Sequence, residues 1–132
     1  MNELKGKIKD LLIAGDLCLL SIDIQGFVVK ALIIETPASN PNLYVDASVR
    51  VLFKETEVIL VKGSDLQISI QNRLPCLVKS VQRGKILSRV LMQFDAFSLA
   101  ALITTEAWEA LNLHIDDQVW ALVKANEVMI SS

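Results

Sequence analysis

The side chains that most often do chemistry are scarce in this sequence. It has one histidine, His114, and two cysteines, Cys18 and Cys76. A thiol nucleophile needs a base within hydrogen-bond reach, and a zinc site needs three or four clustered ligands. A lone His in the polar stretch His114-Ile115-Asp116-Asp117, and two cysteines without C-x-x-C spacing, meet neither requirement. Cys18 and Cys76 therefore read as buried free thiols, and His114 as an exposed turn residue. No Gly-rich phosphate loop is present, and Trp108 and Trp120 read as core or subunit-interface anchors. No enzyme is expected. The charged residues that do show a pattern are Lys54 and Lys124, which follow Val51-Leu52-Phe53 and Ala121-Leu122-Val123 and precede Glu55-Thr56-Glu57 and Ala125-Asn126-Glu127. Taken singly, each is an ordinary surface lysine at a strand end. Taken together, they are one position seen twice.

The elements behind them repeat as well. Residues 2–60 align with 72–130 without a gap at a constant offset of 70, with 16 identities in 59 positions. Asn2, Leu4 and Lys9 meet Asn72, Leu74 and Lys79, and Ala31-Leu32-Ile33 meets Ala101-Leu102-Ile103. Asp46, Val49 and Leu52 meet Asp116, Val119 and Leu122. Twelve other pairs exchange one apolar residue for another, as in Ile8/Val78 and Ile59/Met129. A register kept this long marks a tandem duplication.

Composition limits what two such copies can be. The chain has 132 residues, 52% of them hydrophobic, a mean hydropathy of +0.45 and a net charge of -2. Units of about 60 residues bury little surface alone, so the copies are expected to pack together and the chains to associate. Charged or Gly residues such as Asp10, Gly15 and Asp23 break each apolar run before the ~18–20 residues that span a bilayer. The N-terminal residues include Glu3, Lys5, Lys7 and Lys9 rather than an apolar leader. No membrane partner is expected, and the cytoplasm is the expected location. Few aromatics and scattered lysines also argue against direct nucleic-acid binding.

Alternation at period two, dense in Val, Ile and Phe, predicts strands. Each copy reads as a long bent strand (4–14; 74–83), a hairpin (17–24 with 27–34; 87–94 with 97–104) and two closing strands (47–54 and 57–61; 117–124 and 127–131). Thr105-Glu106-Ala107-Trp108-Glu109-Ala110-Leu111 predicts a short helix capped by Thr104 or Thr105. In the first copy, Thr36-Pro37-Ala38-Ser39-Asn40-Pro41 stands there, and Pro41 reduces that segment to a turn. The expected fold is all-β: two tandem OB-like five-stranded barrels, each with at most one short helix, over 1–62 and 67–132.

Certain residues resemble a known family. Ser69-Ile70-Gln71-Asn72-Arg73-Leu74 opens the second copy, Ala101-Leu102-Ile103-Thr104 ends its third strand, and Leu113, Val119, Lys124-Ala125 and Val128 close it. Together they resemble the molybdate-binding Mop module of the TOBE group. Its pattern is an S-A-R-N turn, an I-T-x-x-S strand end and a final V-x-A-x-(I/V)-K-A-x-x-V. The resemblance covers 67–131 and reaches 2–60 through the repeat and Lys54. Two modules in one chain resemble a di-Mop molbindin, or the sensory tail of the molybdate-responsive transcription regulator.

The resemblance implies non-enzymatic binding of molybdate or tungstate, for storage, homeostasis or sensing, in a homo-oligomer (dimer or trimer) with sites between subunits. Such anions have four acceptor oxygens and donate nothing. They are held by converging N–H and O–H donors and a cation. Carried over by position, the ligands are Ser69, Gln71, Asn72, Thr104, Thr105, Lys124 and Ala125, with Lys54 in the first copy. The departures fall mostly on that first copy. Met1 and Ile34 stand opposite Gln71 and Thr104, and Glu55 replaces Ala125 beside Lys54, where a carboxylate repels a dianion. In the second copy Gln71 replaces an Arg, and Ala107 replaces a Ser. The second copy is expected to bind and the first is not. A third reading, a structural module with decayed sites, draws on the same departures.

Overall fold

Cys18, Leu20, Ile22 and Ile24 alternate along the sequence, so an extended chain places them on one face. All four are buried in one strand, and Ser88, Val90, Met92 and Phe94 are buried in its counterpart. The computed structural model describes Met1 to Ser132. Its first half carries β1 (Asn2–Ala14), β2 (Leu17–Ile24), β3 (Phe27–Ile33), β4 (Ser48–Phe53) and β5 (Ile59–Val61). The second carries β6 (Asn72–Arg83), β7 (Leu87–Phe94), β8 (Phe97–Thr104), β9 (Gln118–Val123) and β10 (Met129–Ser131), with α1 (Thr105–Leu111) between β8 and β9. A 3-10 turn precedes each last strand, Glu55–Glu57 and Ala125–Glu127, so β5 and β10 begin two residues later than alternation suggests.

The long first strand of each copy serves two neighbours. β1 pairs with β4 through 2–7 and with β2 through 7–14. The register slips at Lys9 in β1 and at Lys79 in β6, an identical residue in both copies. A bulge adds twist and bends the strand, which curls each sheet toward a barrel. Asp46 and Asp116, also identical, lie beside it at φ 73° and 69°. Their N–H groups donate to the carbonyls of Ile8 and Val78, both at 2.7 Å. Asp tolerates this left-handed backbone better than most residues do.

The two sheets run β10-β4-β1-β2-β3 and β5-β9-β6-β7-β8. Both have five strands, but each copy closes on the other's last strand rather than its own. Ile130 pairs with Val51, and Leu60 pairs with Ala121. This departs from the sequence expectation, in which each copy used its own tail. The crossing has a plain advantage: Val58 and Leu60 from the first half and Val128 from the second join one continuous apolar core.

A second exchange ties the halves. The Asn72 side chain accepts from the Lys30 N–H (2.7 Å) and donates to the Lys30 carbonyl (2.8 Å). Asn2 makes the same two bonds to Ala100, both at 2.8 Å, seventy residues on. Each buried amide completes a backbone peptide of the opposite copy. These contacts relate the halves by a pseudo-two-fold axis.

Candidate functional site

The second copy is entered through the segment 62–71, which Arg73 organises. Its guanidinium donates to the carbonyls of Leu66 (2.8 Å), Ile68 (2.7 Å) and Ile70 (2.9 Å). Five donors in a rigid fork suit such a task. Lys62 fixes the other end, donating to the carbonyls of Leu111 and Asn112 at the α1 C-terminus, both at 3.2 Å. Sequence reasoning missed Arg73. Its one signal was position, immediately after Gln71-Asn72 where the first copy has Glu3.

This arrangement sets Ser69 and Gln71 against the turn after β9. Ser69, Gln71, Lys124 and Ala125 line a shallow cavity of about 250 Å3, with Leu32 of the other copy as part of its wall. The lining holds one cation, one hydroxyl, the Gln71 and Asn126 amides and no carboxylate. Ala125 opens its 3-10 turn, where backbone N–H groups have no partner within the turn. Such a surface attracts an anion with several acceptor oxygens.

The other expected ligands stand elsewhere. The Asn72 side chain exchanges two hydrogen bonds with Lys30, which makes it an inter-copy clamp, and it does not line the cavity. Thr105 is buried; its hydroxyl donates to the Gly84 carbonyl and shares a hydrogen bond with Ser88, both at 2.8 Å. Thr104 caps α1, accepting from the Ala107 N–H at 3.1 Å. Neither threonine lines the cavity.

The offset carries this cavity onto Leu102, Lys54, Glu55 and Thr56. There Glu55 is held at both carboxylate oxygens by Arg89, at 2.7 and 3.0 Å. The Arg89 hydrogen bond and charge hold the Glu55 carboxyl below the usual carboxylate range despite its partial burial.

An apolar strip borders the cavity. Leu12, Leu19 and Leu32 stand opposite one another across β1, β2 and β3 and so share a face. Leu12 and Leu32 are exposed, as are Leu17 and, at 79%, Ile34. In the second copy the matching row is Gln82, Arg89 and Leu102.

The remaining chemistry matches the sparse inventory. Cys18 and Cys76 are free and buried, and burial pushes the Cys76 thiol up to about 12. His114 is exposed. Trp108 packs in the core, while Trp120 is half-buried beside Pro75 and Leu77 in a groove of about 580 Å3. The equivalent groove in the first copy, about 600 Å3, presents Arg50, Lys5 and Lys7 instead. The shape of these two grooves is repeated and their chemistry is not, whereas the lysine after β4 and β9 is kept in both copies. No helix is long and apolar enough to cross a membrane.

Residues 68–130 match the family model of the TOBE domain. The molybdenum import ATP-binding protein ModC of Pseudomonas syringae pv. tomato is 31% identical over 144 residues, covering 94% of this chain. This chain spans 40% of that protein's length. A molybdate-binding protein from Sporomusa ovata is 33% identical, covering 51% of this chain and all of its own (TM-score 0.49). The structure of the cytoplasmic molybdate-binding protein ModG, with molybdate bound, superposes with a TM-score of 0.92. It covers 98% of this chain and 94% of its own at 22% identity, and shows the same tandem fold.

Proposed function

We propose that this chain, which belongs to the tandem Mop/TOBE family, is a non-enzymatic binder of tetrahedral oxyanions, molybdate or tungstate, with one competent site per chain. The observation that carries the reading is the cavity where Lys124, Ser69, Gln71 and Ala125 converge without a carboxylate. An acidic protein binds a dianion there because screening confines distant charge to about a Debye length while the adjacent donors act directly. The ligands named for ModG and the Sporomusa protein support the same class of anion. The proposed role is storage or sensing in the cytoplasm, the location named for ModG.

We place the completed site between subunits of a homo-oligomer, a dimer or a trimer. Leu32 in the cavity wall stands among the exposed apolar residues Leu12, Leu17 and Ile34, and exposed apolar surface of this kind favours association. The exposed Thr104 hydroxyl of a neighbouring chain is the donor proposed to complete it. The same reading takes 1–62 and 67–132 as the two modules, each lending its last strand to the other's sheet.

Isothermal titration with molybdate, tungstate and sulfate tests the proposal. Wild type binds molybdate and tungstate. Lys124→Ala weakens binding at least tenfold, the scale of one charge-assisted hydrogen bond, about 1.5–3 kcal/mol, while Lys54→Ala leaves it unchanged. No heat from any oxyanion at high micromolar protein would sink the proposal and favour a structural module.

A further inference from the structure

We infer that the first copy contains a second oxyanion site, closed by the chain's own Glu55 carboxylate, and that removing this carboxylate opens it to the same class of dianion. The inference rests on the reading of the Lys124 cavity as an oxyanion site. The offset of 70 maps Leu32, Lys124, Ala125 and Asn126 onto Leu102, Lys54, Glu55 and Thr56. The packing agrees, since the turn Ala125–Glu127 lies against β3 and the turn Glu55–Glu57 lies against β8.

Two substitutions distinguish the places, and they interlock. Glu55 stands for Ala125, and Arg89 stands for Leu19 on the neighbouring strand. One copy therefore has a methyl group and a leucine, and the other has a carboxylate gripped by a guanidinium at 2.7 and 3.0 Å. The Glu55 side chain is 19% exposed, and the amino group of Met1 approaches it within 3.5 Å. Two oxygens of one anion on a planar guanidinium fork is how proteins commonly hold carboxylate and phosphate. Here the oxyanion is tethered. A tethered group competes at an effective concentration on the order of millimolar or more, so a free dianion at micromolar concentration does not displace it. With the carboxylate gone, Arg89 loses the acid it is paired with, and Lys54 holds the turn position that Lys124 holds in the second copy.

The experiment is a calorimetric titration of the intact chain with molybdate, with each variant's fold checked by its thermal transition. Wild type binds one anion per chain, Glu55→Ala binds two, and Glu55→Ala with Lys124→Ala binds one. Glu55→Gln keeps the side chain's bulk and should fold even if the alanine variant does not; it too gains a second, weaker site. Wild-type stoichiometry in both Glu55 variants overturns the inference and leaves the Lys124 site standing. No binding by wild type or by either Glu55 variant overturns the Lys124 reading and the inference with it.

Discussion

Asn72 stands at a motif position and ties the two copies together. Its position beside Gln71 marks it as a ligand by resemblance, yet its amide completes the Lys30 peptide, as Asn2 completes that of Ala100. Sequence alone could not show this, because the bonding partner lies 42 residues away in the other copy. The pair of identities at 2 and 72 was the visible trace. Asn72→Ala strands a buried N–H and C=O, and is expected to destabilise the protein by about 1–3 kcal/mol per unsatisfied group in denaturant unfolding. A loss below about 0.5 kcal/mol would show the clamp to be dispensable. That Ser69, Gln71, Lys124 and Ala125 share one cavity was legible from a short motif and a strand end. Thr104 and Thr105 follow the same motif, but one caps a helix and the other is buried against Ser88 and Gly84.

Among the elements, the strands were read nearly to the residue, because alternation reports burial directly. The helix was also legible, since 105–111 has a capping threonine and good helix formers while 35–41 has two prolines. The 3-10 turns were not, and they bring repeat-equivalent glutamates together. Burial, and then the hydrogen-bonded Glu57 carboxylate, push the Glu127 carboxyl above the usual range. A carboxyl whose folded value is raised gives stability that is full below its unfolded value, about 4.3, and is lost as pH rises through the folded value. Glu127→Gln should therefore melt higher than wild type at pH 7, with the advantage vanishing toward pH 4; an equal melting temperature at pH 7 would refute the pairing. Gly6 tests strand packing in the same way. A Cβ there would lie 2.4 Å from the Asp23 carbonyl oxygen, so Gly6→Ala should cost about 1–3 kcal/mol of stability through overpacking. Unchanged denaturant unfolding would contradict this.

At the scale of the molecule, the duplication was plain in the sequence and the exchange of last strands was not. The sequence Met129-Ile130-Ser131 has the same apolar character whichever edge it joins, and both β4 and β9 offer an open edge. Sequence gives the appetite for an edge and not its address. Removing 129–132 should therefore expose β4 in the first copy. Hydrogen exchange is expected to lose protection over Ser48–Phe53 while β9 keeps its own; loss confined to β9 would contradict the exchange. The same crossing puts Leu32 of one half in the wall of the other half's cavity, so the site belongs to the whole chain. A crystal grown with tungstate, read by tungsten's anomalous scattering, tests that claim most directly. A peak is expected within hydrogen-bond distance of the Lys124 ammonium, beside Ser69 and Gln71, and none beside Glu55. A peak at Lys54, in the groove of Lys5 and Lys7, or nowhere on the molecule would contradict it.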